Sequence, residues 1–293
     1  MNMHHEEPRR TPGDDGGARS AGAEDPACGA RPFKPAPWAA LCVVALMTGC
    51  AGLGKPEATD GSRAMFDGKS LNGWRGDPAL WSVQEGAITG TTAVSLPENT
   101  FLIHDGEFSD FVVRLKYRFS TEAGNSGLQY RSRPDRERPY SVIGYQANVV
   151  TQDADRSFAM LWEERGRELL ARCGEKVVLR HSDDPALKGF ERRVSGGLAD
   201  CEGIRAAVRP YPQWNDYIIV AYKNRLVHIL NGRVTIDVTD EDPDTRAMTG
   251  FFALQIHRGL AMRVQFTDLQ LRPLTSQPRW ETEFGVPAAT PVP

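Results

Sequence analysis

The chain predicts an all-β sandwich or barrel, folded as one domain of about 210 residues from Ala64 to Leu274. Short runs of β-branched and aromatic residues alternate apolar and polar positions. Tight-turn dipeptides separate these runs, and helical periodicity is weak apart from a short turn near Asp200–Ala207. Many short strands with few helices have to bury their apolar faces against one another, which two stacked or closed sheets achieve.

Residues 1–37 are rich in Pro, Gly, Arg, Asp and Glu and too polar to fold alone. Arg31 and Lys34 precede an apolar run from Trp38 to Met47, too short to cross a bilayer as a helix but suited to a signal-peptide core. In Met47-Thr48-Gly49-Cys50, small residues stand before a cysteine, as in a bacterial lipobox whose thiol is acylated. A chance cysteine behind a signal peptide, or a buried helix, is the plainer alternative. The expectation is a leader over residues 1–50 and a flexible tether over 51–63. The protein would then be exported and lipid-anchored through Cys50, facing the periplasm or the cell exterior. With Cys28 and Cys42 lost in the leader, Cys173 and Cys201 remain as an even pair in an oxidising compartment. They form either a disulfide worth about 3.5 kcal/mol by chain entropy or two buried thiols.

Within the body, Trp81–Val83 and Ala87–Thr89 flank Gln84-Glu85-Gly86 as a hairpin. From Phe111 to Phe119, odd positions are apolar and even ones mostly basic, which predicts one buried and one wet face. Tyr217–Tyr222, Leu226–Leu230 and Arg233–Val238 follow as strands, the last two joined by the hairpin dipeptide Asn231-Gly232. The strand Met262–Leu271 changes phase, predicting a β-bulge near Thr267-Asp268. The acidic stretch Asp237–Asp244 reads as a turn. Residues 275–293 read as a Pro-rich tail that Trp280 and Phe284 could pin back.

Three strands carry polar side chains at every second position: Leu128–Arg131, Tyr145–Val149 and Phe252–His257. Residues two apart share a face, so Gln129 goes with Arg131, Gln146 with Asn148, and Gln255 with His257. In one sheet they would line a surface with amides, a guanidinium and an imidazole, a surface that suits a sugar. The alternative is an ordinary solvated sheet face. The net charge of −3 gives no electrostatic case for a nucleic-acid partner. No phosphate loop, Cys-x-x-Cys metal site or Gly-x-Ser-x-Gly elbow is present. Asp153 with Asp155, and His181 with Asp183 and Asp184, are weak cation candidates. No metal site or organic cofactor is predicted, and a divalent cation stays open, as does the oligomeric state.

Phe66-Asp67-Gly68-Lys69 with Leu71-Asn72-Gly73-Trp74 resembles the opening of the 3-keto-disaccharide hydrolase domain family. Asn125-Ser126-Gly127, Arg131, Gly144-Tyr145-Gln146, Trp214-Asn215, Asn231-Gly232 and Gly250–His257 extend the resemblance in order to Leu274. The resemblance implies a jelly-roll sandwich like that of concanavalin A and the laminarinase-type glucanases, with the site on its concave sheet. It implies export or lipid anchoring, and hydrolysis of disaccharides or glycosides already oxidised to a ketone at C3. Two positions depart from the family pattern. Gln146 stands where many members have Glu, and Asn148 stands where a closer subgroup has Asp, which removes one carboxylate.

A C3 ketone acidifies the C2 hydrogen, so a base can form an enolate and expel the group on C1, after which water adds. Glu163 and Glu164 are the candidate bases; being adjacent in a strand, they face opposite ways. Glu164 is preferred because it shares a face with Trp162, which could stack on a sugar ring. Ion pairs with Arg165 and Arg167 are the alternative for both. His257 is read as acid or hydroxyl partner, and Arg131 as donor to the enolate or as partner of a carboxylate. A non-catalytic glycan-binding lipoprotein is the alternative function.

Overall fold

The computed structural model describes residues 60–151, 157–187, 189–198 and 200–286. The leader, the signal peptide, Cys50, the tether up to residue 59, Asp153, Asp155 and the end of the tail lie outside the described residues. The first strands in chain order are β1 (Arg63–Ala64), β2 (Trp74–Arg75), β3 (Trp81–Gln84), β4 (Ala87–Thr92), β5 (Thr100–His104) and β6 (Phe111–Phe119). Next come β7 (Asn125–Pro134), β8 (Val142–Val150), β9 (Leu161–Glu164), β10 (Glu168–Ala171), β11 (Glu175–His181) and β12 (Phe190–Gly197). Helix α1 (Cys201–Ala206) leads to β13 (Asn215–Tyr222), β14 (Arg225–Leu230), β15 (Arg233–Asp240), β16 (Phe251–Ile256) and β17 (Met262–Pro273), and α2 (Trp280–Glu283) is the last element among the described residues.

These strands form two sheets. The larger runs β12-β11-β15-β14-β13-β6-β17-β4-β3, with β1 beside β17, and the smaller runs β10-β9-β8-β7-β16-β5-β2. All neighbours are antiparallel except β11 and β15. The result is a jelly-roll sandwich, as expected. The core lies between the sheets: Leu115, Tyr117, Tyr217 and Ile219 from the larger meet Leu128, Tyr130, Tyr145 and Leu254 from the smaller.

Local chemistry sets the details. Asn231 and Gly232 take φ of 47° and 76°, the left-handed pair that a two-residue hairpin turn requires. The bulge in β17 falls where the phase changes: Thr267 pairs with Lys116, Gln270 with Arg114, and Asp268 has φ 52°. Helix α1 is short and capped by Asp200, which accepts the Glu202 N–H. Its first residue, Cys201, is disulfide-bonded to Cys173, with 5.6 Å between Cα atoms.

Two expectations need correction. The even face of β6 is not wholly wet. Val112 is buried with Val220, Val227, Ile229 and Val286 on the outer side of the larger sheet, where Trp280 and Phe284 cover it. Arg225 stacks over Trp280 at 4.2 Å and Arg114 over Phe284 at 4.9 Å, so basic residues roof the aromatic tail. The acidic stretch Asp237–Asp244 is half strand. Asp237 and Asp240 belong to β15 and are buried, because Arg225 grips Asp237 at 2.7 and 2.8 Å and Arg167 grips Asp240 at 2.6 and 3.1 Å.

Candidate active site

Strand alternation builds the floor of a cleft on the outer face of the smaller sheet. Tyr130, Tyr145, Ala147, Leu161 and Leu254 turn into the core, so Gln129, Gln146, Trp162 and Gln255 turn away from it. Gln129 lies directly across from Gln146, and Gln146 across from Trp162. The amides interlock. Gln129 and Gln146 hydrogen-bond at 2.7 Å, and Gln146 Nε2 donates to Asn148 Oδ1 at 2.6 Å and to Gln255 Oε1 at 3.2 Å. Asn148 Nδ2 donates to the Ser157 carbonyl at 2.7 Å. Gly127 makes room for this array, since a Cβ there would sit 2.6 Å from Gln146 Cγ.

Above the floor is a cleft of about 590 Å³ whose walls include Gln146, Asn148, Trp162, Glu164, Gln255 and His257. All six belong to the set read from the sequence. Glu98 and Glu168 also line it but are exposed, leaving Glu164 as its one buried carboxylate among the described residues. Burial raises the Glu164 pKa above the ordinary carboxylate range, against hydrogen bonds from Asn99 and nearby positive charge that lower it. Burial likewise holds the His257 pKa below its usual value, keeping the ring neutral at pH 7. Its Nδ1–H donates to the Arg258 carbonyl, which leaves Nε2 as an acceptor and counts against a proton-donating role.

Three members of the expected set are placed elsewhere. Arg131 does not line the cleft. A bulge sets Arg131 and Ser132 opposite Gly144 alone, with Arg131 at φ 46°, and the alternation reverses there. Its buried guanidinium donates to the carbonyls of Ser109, Lys223 and Ala247 and to Asp110 Oδ1, tying the smaller sheet to loops of the larger. Glu163 faces inward, opposite to Glu164. It accepts from Arg167 Nε and backbone N, both at 2.8 Å, and Arg167 carries the link on to Asp240. Gln129 sits on the correct face but is fully buried beneath the floor.

Sequence reasoning missed Asn99 and used Asn125 only within the motif that carries the family resemblance, with no place in the site. Asn99 Nδ2 donates to both Glu164 oxygens, at 3.0 and 3.2 Å. Asn125 lines the cleft with a buried Oδ1 that has no protein partner among the described residues. Asn125 lies four residues ahead of Gln129 on β7, so the same alternation was a signal that it shares the cleft face, whereas Asn99 precedes its strand and carries no such pattern. Among the described residues, His181, Asp242 and Asp244 bring potential metal donors within 4.8 Å of one another, and none of them lines this cleft.

Fold and cleft together define a jelly-roll sandwich with an amide-floored groove on one sheet. The chain belongs to the family described as the 3-keto-alpha-glucoside-1,2-lyase-like domain, which it matches over residues 61–272. It is 25% identical over 241 residues to the 3-keto-disaccharide hydrolase of Bacteroides thetaiotaomicron, spanning 78% of this chain and 69% of that protein. A Parabacteroides distasonis structure provisionally described as a glycosyl hydrolase is 17% identical with a TM-score of 0.47, covering 73% of this chain and 94% of the other. A carbohydrate binding module from Bacillus subtilis is 16% identical with a TM-score of 0.42, covering 68% and 94% respectively.

Proposed function

We propose that the cleft takes a disaccharide or glycoside oxidised to a ketone at C3 and cleaves it by elimination followed by hydration. The observation that carries this reading is Glu164: a buried carboxylate, made more basic by burial, standing beside Trp162 over a floor of amides. Family membership and the Bacteroides relative supply the substrate class.

Glu164 takes the C2 proton, and the electrons of that C–H bond pass into an enolate of the C3 ketone. The enolate then forms the C1–C2 double bond as the C1–O bond breaks, and protonated Glu164 returns its proton to the departing oxygen. In the second half, Glu164 removes a proton from water, hydroxide adds to C1 as the C1–C2 double bond's electrons return to the enolate, and protonated Glu164 gives that proton to C2. Gln146, Asn148 and Gln255 orient the sugar hydroxyls and the enolate oxygen, Trp162 stacks on the ring, and neutral His257 accepts from a hydroxyl through Nε2. Asn125 Oδ1, without a protein partner among the described residues, accepts another hydroxyl hydrogen.

Purified protein incubated in deuterated water with a 3-keto-glucoside should release the aglycone and place deuterium at C2, whereas the unoxidised glucoside should stay intact. Glu164→Gln should lower kcat by about 100-fold or more. Glycan affinity without product from any 3-keto substrate would leave a binding module instead. The leader and the Met47–Cys50 motif support an exported, lipid-anchored protein. Fatty-acid labelling of cells tests the anchor, and an unlabelled Cys50 would refute it.

A further inference from the structure

Asn99 lies just ahead of β5, and its hydrogen bonds fix the orientation of its amide. Nδ2 faces both Glu164 oxygens, while Oδ1 accepts the backbone N–H of Arg258 at 2.8 Å. The reversed amide would set oxygen against carboxylate and NH2 against N–H. The carbonyl of the same Arg258 accepts Nδ1–H from His257. One side chain therefore joins β9, which carries Glu164, to the turn after β16, which carries His257.

The sheet order explains why such a link matters. β9 and β16 are not neighbours, since β8 and β7 lie between them. No backbone ladder directly sets the spacing of the two groups across the cleft, and Asn99 supplies a direct connection.

We propose that Asn99 is a positioning residue that holds Glu164 and the His257 turn as one unit, an inference that rests on the reading of Glu164 as the base. Its two contacts favour the ionised carboxylate and work against burial. They also direct the carboxylate oxygens along the cleft rather than leaving them free to rotate.

The test is carboxyl titration by NMR with 13C-labelled glutamate, the Glu164 signal being assigned through Glu164→Gln. In Asn99→Ala, Glu164 should titrate at higher pH than in the wild type, and in Asn99→Asp higher still, because a second carboxylate then faces it. Asn99→Ser, which keeps a short donor, serves where the alanine variant fails to fold. With a 3-keto-glycoside, Asn99→Ala should lower kcat about tenfold or more with KM within about twofold. The acid limb of its pH–rate profile should move upward. An unchanged Glu164 titration in a folded variant, or a loss confined to KM with an unmoved pH profile, would overturn the proposal. If the protein turns over no 3-keto substrate, the base reading fails on its own, while the titration still decides whether Asn99 governs Glu164.

Discussion

His228 is a sealed imidazole in the middle of the sandwich, and it makes stability fall in acid. It projects from β14 into the core with no exposed surface, its Nε2 2.9 Å from the Tyr130 hydroxyl and its Nδ1 3.4 Å from that of Tyr217. Burial pushes its pKa from 6.5 down to about 3. Because the folded-state value lies below the unfolded one, His228 costs nothing above pH 6.5 and destabilises the fold progressively as the pH drops toward 3. The slope is about 1.4 kcal/mol per pH unit, so the cost is about 2 kcal/mol at pH 5 and about 5 kcal/mol at its limit. His228→Leu should lose about 1–3 kcal/mol at pH 7.5, since two buried hydroxyls lose a partner, but it should shed this acid dependence. Urea unfolding at constant ionic strength, from pH 7.5 to pH 5, measures both effects. His104 and His257, whose pKa values burial also lowers, contribute equally to both proteins and cancel in the difference. Parallel stability curves for wild type and variant would refute the reasoning.

The adjacent glutamates should separate by assay. Glu163→Gln breaks the inward ion pair to Arg167 and should cost about 3 kcal/mol in urea unfolding, with kcat nearly preserved where the protein is folded. Glu164→Gln should do the reverse, and equal effects of the two changes on both readouts would remove the distinction. Arg131→Met strips donors from the carbonyls of Ser109, Lys223 and Ala247 and leaves Asp110 without its guanidinium, so a loss of about 3 kcal/mol or more is expected. A near-normal KM below its melting temperature would fit Arg131's place outside the cleft; a large rise in KM would contradict it.

Alternation made most of the smaller sheet legible. One face of a half-buried strand must be apolar, so Tyr145, Ala147 and Val149 announce where Gln146 and Asn148 point. The same logic located the bulge in β17, because an apolar set that changes parity can stay in the core only by absorbing an extra residue. It failed at Arg131, where the extra residue falls within a polar stretch and no apolar parity records the slip. A signal was present on the flanking strands. Gly144 and Gly250 both adopt φ 152°, and a Cβ on either would come within 2.5 Å of the Arg131–Ser132 backbone or the Ser132 hydroxyl. Two glycines facing one strand from both sides mark a backbone that bulges toward its neighbours.

That bulge also bears on the chemistry. Had the alternation continued, the Arg131 guanidinium would stand on the cleft face with Gln129, in reach of the amide floor. A buried cation there would lower the Glu164 pKa and blunt it as a base. With Arg131 turned away to hold the sheets together, the floor is lined by neutral amides. Arg165 and Arg258 on the rim act to lower the Glu164 pKa, and burial prevails over them. Placing arginine on the structural side of the bulge and glutamate on the cleft side of β9 thus leaves the Glu164 pKa raised, as the proposed base requires. Rebuilding β7 without its extra residue should cost both the tie between the sheets and the basicity of Glu164.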